Sequence, residues 1–176
     1  MWINIFTVIT YSNGGNYNMK RNIWEEIVKK LNSGKFTIST MESCTGGGIA
    51  NEITSISGAS AVLRESYVTY CNEAKIKQGV PADVIEKYTV YSPETAIEMA
   101  KAVKAKAKSD IAIGVTGQLG RIDPNNPVDK LNCVWFAIAN QDNQIFVHEV
   151  HVPDSERKIQ KEYVINAVAT ELLKLI

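Results

Sequence analysis

Apolar residues recur at helical spacing through Ile23, Trp24, Ile27, Val28 and Leu31, and Gly34 follows, a pattern that predicts a helix closed by a left-handed cap. Phe36 and Ile38, with Thr37 and Ser39 beside them, predict a short strand leading into Met41 to Gly48. Ile49, Ile53 and Ile56 mark a further helix closed by Gly58. A strand is expected over Leu63 to Cys71, and Asn72 and Glu73 then open a helical turn carrying Lys75 and Lys77 before Gly79. Ser92-Pro93 reads as a helix start, because serine accepts from a free amide and proline is tolerated at the first helical position; this helix is expected to end near Ser109. The unbroken apolar run Ile111 to Val115 suits a buried strand, with Thr116-Gly117 at its end and a Gly-, Pro-, Asn- and Asp-rich loop over 117–130. Strands near Val134 to Ala139 and Ile145 to Val152 and a helix from about Asp154 complete the pattern. This alternation predicts an α/β fold, a single three-layer α/β/α domain around a central mixed sheet.

Length agrees with one domain, since 176 residues can bury a core without disulfide or metal staples. The folded domain is read as residues 19–176. Residues 1–18, in which the apolar run Trp2 to Ile9 gives way to a polar stretch from Ser12 to Asn16 ahead of Met19, read as a dispensable extension. That run has neither a basic leader nor a small-residue cleavage pattern, so no signal peptide is expected. With 19 basic residues against 19 acidic ones, no electrostatic grip on nucleic acid or membrane is expected. Lys101, Lys104, Lys106 and Lys108 read as the solvated face of a helix, with Glu94 and Glu98 on the preceding turns. Cys44, Cys71 and Cys133 are odd in number and widely spaced, with no CxxC pair, which indicates neither a disulfide framework nor a zinc site. A reducing, cytoplasmic setting is the expectation.

Ser43 falls at a strand-to-helix junction, where open α/β sheets place their sites. Free amides at a helix start can hold a phosphate or an oxyanion, and Gly46, Gly47 and Gly48 let a ligand approach closely. Ser43 or Thr45 can equally serve only as a cap for the following helix. A serine nucleophile needs a base. His148 and His151 lie together in a late strand, away from the loops expected to hold a Ser-His-Asp triad. A lysine with a lowered pKa is the alternative base, and Lys75 is the candidate; its other reading is a solvated helix lysine near Glu73. Tyr70 is either a proton-handling partner or a half-buried strand residue.

Longer motifs decide among these. Glu42-Ser43-Cys44-Thr45-Gly46-Gly47 resembles the E-S-C-T-G-G signature of the CinA C-terminal family. Gly58-Ala59-Ser60 is similar to its G-A/S-S turn, and Val68 to Lys75 to its V-x-Y-S-N-E-A-K stretch. Val90 to Glu94 and Met99-Ala100 resemble its G-A-V-S-x-E segment and M-A pair. The resemblance implies hydrolysis of the carboxamide of nicotinamide mononucleotide to the nicotinate mononucleotide and ammonia, with Ser43 as nucleophile and Tyr70 and Lys75 as its assistants. It implies no metal and no organic cofactor, a small-molecule nucleotide as the partner, and a homodimer or higher homo-oligomer. The expected substrate-binding residues are Glu42, Cys44, Thr45, Gly46, Gly47, Thr116, Gly117 and Arg121.

The second signature departs from the family's T-G-I-A-G-P. Thr116, Gly117 and Gly120 are kept, Arg121 stands in place of the proline, and the glycine-threonine pair of the later K-P-V-G-T-V stretch gives way to residues around Asn132 and Cys133. Arg121 can contact a substrate phosphate or only pair with Asp123 or water. Thr116 can donate to the ligand or close its strand; Cys44 can be a nucleophile or a packed small residue; Glu42 can orient a site group or favour a helix N-terminus by charge. A non-catalytic nucleotide-binding domain, an amidohydrolase for another carboxamide and an assembly module are the competing functions.

Overall fold

A computed structural model describes residues 4–9, 17–121 and 131–176. The elements are β1 (Asn4–Ile9), α1 (Tyr17–Gly34), β2 (Ile38–Glu42), α2 (Gly48–Thr54), α3 (Ala59–Val62), β3 (Leu63–Val68), α4 (Asn72–Lys77), α5 (Ala82–Tyr88), α6 (Pro93–Ala107), β4 (Ile111–Gln118), β5 (Cys133–Ala139), β6 (Ile145–His151) and α7 (Arg157–Leu173). They build one sheet in the order β1-β6-β5-β4-β2-β3. Every pairing is parallel except the two made by β5, so β5 alone runs against its neighbours. The three-layer α/β/α arrangement with a mixed sheet is the architecture the sequence predicts.

Both faces of β4 and β5 are buried along their whole length, and their residues divide between two cores. Ile111, Ile113, Val115, Val134, Phe136 and Ile138 face a layer that includes Trp24, Ile27 and Leu31 of α1 and Val164 and Val168 of α7. Ala112, Ala137 and Ala139 face α6, which meets them with Ala96, Met99 and Ala100. Small residues on both sides of that second interface let the helix axis come close to the sheet. At Gly114 a side chain would stand 2.5 Å from the backbone nitrogen of Ala100 and still nearer the carbonyl of Ala96.

Local chemistry moves several boundaries from those the pattern predicts. β2 begins at Ile38 rather than Phe36, because Thr37 is tied through its amide and its hydroxyl, both at 2.7 Å, to the Asp110 carboxylate. α2 stops at Thr54, and Gly58, at φ 89°, starts the separate turn α3 instead of closing α2. β3 ends at Val68, short of Cys71, which becomes the N-cap of α4. Ser92 caps α6 as expected, accepting from the Thr95 amide at 3.1 Å.

Residues 1–18 are not wholly apart from the fold. Asn4–Ile9 pairs residue for residue with β6, Ile9 enters the core, and the Phe6 ring meets Trp135 edge-on with centroids 6.2 Å apart. The polar stretch Ser12 to Asn16 and the loop residues Asp123 to Pro127 lie outside the described residues. Among the described residues no helix is long and apolar enough to cross a membrane.

Candidate active site

The three parallel strands β3, β2 and β4 deliver their C-terminal ends to one edge of the sheet, and Ser43 is the first residue past β2. Its amide donates to the Val115 carbonyl at 3.0 Å, so the sheet ladder itself fixes the Ser43 backbone. The chain then folds back through Gly46 (φ 62°) and Gly47 (φ 87°), left-handed positions that suit glycine, and enters α2. Gly47 has no side chain with which to cap α2. Glu42 does so instead: wholly buried, it accepts from the Ile49 amide at 3.1 Å, the Ala50 amide at 3.0 Å and the Thr40 hydroxyl at 3.3 Å. A carboxylate at a helix N-terminus is favoured by the exposed amides and the helix dipole. Glu42, expected among the substrate ligands, is therefore committed to shaping the Ser43 loop. Among the described residues the amides of Thr45 and Gly47 donate to no acceptor, whereas the Cys44 amide bonds its own thiol.

Lys75 reaches this point from α4. The Thr69 amide donates to the Glu42 carbonyl at 2.8 Å, which draws the chain after β3 across the end of β2. Lys75, only 2% exposed, then points back so that its Nζ lies 3.1 Å from Ser43 Oγ and 2.7 Å from the Thr69 carbonyl oxygen. Burial lowers its pKa to about 8, against the upward pull of the Cys44 and Cys71 thiols. Near pH 8 roughly half of such amines are neutral and able to accept a proton.

Tyr70 is placed differently from its expected role. It is exposed, and its hydroxyl accepts from Arg157 Nη2 at 2.9 Å, with no hydrogen bond to Ser43 or Lys75. Arg157, a residue the sequence reading did not select, also donates from Nη1 to the Leu119 carbonyl at 2.6 Å. One turn along α7, Lys161 Nζ lies 3.2 Å from where a side chain on Gly46 would begin. A cleft of about 420 Å³ between α2 and α7, lined by residues that include Gly48, Asn51, Arg157, Lys161 and Ile165, adjoins the Ser43 loop. Ser43 and Lys75 are not in its lining. A signal for Arg157 was present: α7 opens with Arg157, Lys158 and Lys161 and no acidic residue in its first turn. Cations there oppose the helix dipole and call for an anion.

The remaining expected residues divide between packing and site. Cys44 lies in the core and burial pushes its thiol up to about 12, which removes it as a thiolate nucleophile. Thr45 is fully buried with a hydroxyl that has no partner among the described residues. Thr116 gives its hydroxyl to the Val90 carbonyl and so holds the start of α6 rather than a ligand. Gly117 allows close contact between β4 and β5, since a side chain there would stand 2.5 Å from Val134 Cα. Arg121 is exposed at the end of the described loop. His148 stacks on Phe136 in the core, far from the role of a triad base.

A serine just past β2 thus meets a buried lysine from the following crossover. The model of the CinA C-terminal domain matches residues 20–175. The chain belongs to the CinA C-terminal domain family. A CinA relative from Clostridium kluyveri, named for competence-damage induction, is 37% identical over 146 residues, which are 82% of this chain and 35% of that protein. A similarly named relative from Caldicellulosiruptor bescii is 38% identical over 129 residues, 72% of this chain and 31% of that one. The chain thus spans about a third of the length of these relatives. Among solved CinA structures, the competence/damage inducible protein CihA from Agrobacterium tumefaciens superposes with a TM-score of 0.81 at 25% identity, covering 94% of this chain and 99% of that one. The CinA superfamily protein from Escherichia coli shares the fold, with a TM-score of 0.81 at 24% identity over 93% and 95% of the two chains.

Proposed function

We propose that this CinA-family chain is a cofactor-independent amidohydrolase that converts nicotinamide mononucleotide to nicotinate mononucleotide and ammonia. The observation that carries the reading is the buried 3.1 Å contact between Lys75 Nζ and Ser43 Oγ, with the lysine's pKa lowered to about 8. Neutral Lys75 takes the Ser43 proton as Oγ attacks the carboxamide carbon, and the carbonyl oxygen becomes an oxyanion. The open amides of Thr45 and Gly47 are the candidate donors to it. As the tetrahedral intermediate collapses, the C–N bond breaks and the Lys75 ammonium protonates the departing nitrogen, leaving an ester on Ser43 and free ammonia. Water then attacks the ester, Lys75 takes its proton, and that proton returns to Ser43 Oγ as the acid departs.

Arg157 and Lys161 supply cationic groups beside the glycine turn for the substrate phosphate, and Tyr70 orients Arg157 through its hydroxyl. The test is ammonia release from nicotinamide mononucleotide by wild type and Ser43→Ala, with binding measured in parallel. Release lost in the variant while binding persists supports the reading. Binding without release by folded wild type turns it to a nucleotide-binding module; release without Ser43 rejects the nucleophile.

A further inference from the structure

The antiparallel pair β5–β6 brings three unlike donor groups to one point on the same face of the sheet. Cys133 stands opposite His151, and Glu149 opposite Trp135. Cys133 Sγ lies 3.3 Å from Glu149 Oε1, and His151 Nε2 lies 3.2 Å from the same oxygen. One donor atom from each residue falls within 4.8 Å of the other two. A tetrahedral ion with metal–sulfur bonds of about 2.3 Å and metal–nitrogen or metal–oxygen bonds of about 2.0–2.2 Å holds its ligand atoms roughly 3.4–3.6 Å apart. Two of the three separations are therefore already near that spacing, and the third, between Cys133 and His151, is within 4.8 Å.

We propose that Cys133 Sγ, a Glu149 carboxylate oxygen and His151 Nε2 bind a divalent transition-metal ion of the zinc type, with a fourth position open to water. The mixed sulfur, nitrogen and oxygen set selects zinc or cobalt and disfavours magnesium or calcium, which take oxygen ligands. On binding, the Cys133 thiol releases its proton to solvent and the sulfur–metal bond forms, while His151 binds through neutral imidazole. One thiolate and one carboxylate then balance the two positive charges. Cys133 is buried and His151 is half exposed, which gives the ion a path inward and a rigid ligand at its end.

The position gives such an ion a consequence. Because β5 runs against its neighbours, Cys133 lies at the sheet edge that carries Ser43. Its neighbour Asn132 accepts through Oδ1 from the Gly120 amide at 2.9 Å and from Gln160 Nε2 at 3.1 Å, and its carbonyl accepts from the Val152 amide at 2.9 Å. The metal ligands flank a polar tie between the segment after β4 and α7, the helix that carries Arg157. An ion there staples the start of β5 to the end of β6 beside that tie.

Cobalt(II) titration of the full chain, stripped beforehand with a chelator, tests this. Wild type should take up one equivalent with a thiolate-to-cobalt charge-transfer band that zinc abolishes by displacement, and zinc should raise its Tm. Cys133→Ser should lose the band, and Cys71→Ser, which removes an exposed thiol, should keep it. His151→Ala, at a half-exposed position outside the core, should weaken cobalt binding at least about tenfold and decides the matter if Cys133→Ser does not fold. No band in wild type at saturating cobalt, a band that survives Cys133→Ser, or unchanged affinity in His151→Ala overturns the proposal.

Discussion

Lys75 Nζ lies closer to the Thr69 carbonyl, at 2.7 Å, than to Ser43 Oγ, at 3.1 Å. A neutral amine has two hydrogens and one lone pair, so Lys75 can keep donating to Thr69 while the lone pair receives the Ser43 proton. Under the proposed mechanism kcat/KM rises with pH to a plateau above about pH 8, the value to which burial lowers Lys75. Lys75→Met should lower kcat by about 10²- to 10⁴-fold and remove that rise. Steady-state ammonia release across pH measures both; an unaltered profile in the variant rejects Lys75 as base.

The same lysine predicts how stability depends on pH. Its folded pKa of about 8 lies below the ordinary value of 10.5, so between these pH values the unfolded chain binds more protons. Stability from this group therefore rises as pH climbs from 8 to 10.5, by no more than about 3 kcal/mol. The difference in urea midpoint between wild type and Lys75→Met should stay constant below about pH 8 and move in favour of wild type between pH 8 and 10.5.

Under the proposed function Arg157 meets the substrate phosphate at the start of α7. Arg157→Ala removes charge-assisted hydrogen bonds worth about 1.5–3 kcal/mol, so KM for the mononucleotide should rise about 10- to 150-fold. Substrates without phosphate should be spared. Comparing the mononucleotide with its riboside separates this effect from general damage to the site.

His148 is buried against Phe136, with ring centroids 4.6 Å apart and, among the described residues, no hydrogen-bond partner on either nitrogen, and burial lowers its pKa to about 4. Below pH 6.5 the unfolded chain takes up the proton first, so stability falls from there towards pH 4, by about 3 kcal/mol. His148→Phe should flatten this acid limb, as read by thermal unfolding at pH 4.5 and pH 7.

Gly114→Ala tests the close approach of α6 to β4. The added carbon would meet the backbone of Ala96 and Ala100, which cannot yield as a side-chain end would. A loss of about 1–3 kcal/mol is expected from denaturant unfolding.

Much of this was legible in the sequence, for reasons visible in particular residues. The Ile27, Val28 and Leu31 stripe and the run Ile111 to Val115 bury as their periods require, and Ser92-Pro93 starts its helix. Ser43 and Lys75 are 32 residues apart in sequence and meet as the motif implies. α5 was not foreseen, because only Ile85 of its seven residues is buried and no periodic stripe results. β1 was set aside because nothing local reveals parallel pairing with a strand as remote as β6. Cys133, Glu149 and His151 follow no metal-binding spacing; strand register alone unites them.

The Glu42 cap separates two tasks that many sites entangle. Strand β2, its own carboxylate and the Thr69 crossover hold Ser43 and Lys75, while the groups that the proposed function assigns to the substrate phosphate hang from α7, tied to the segment after β4. The two sets touch where Arg157 donates to Tyr70, the residue after the Thr69 whose carbonyl holds Lys75. Under the proposed function a change of ligand is a change in the outer set, and this chain's divergent Gln118-Leu119-Gly120-Arg121 stretch adjoins that set through the Leu119 carbonyl that Arg157 holds.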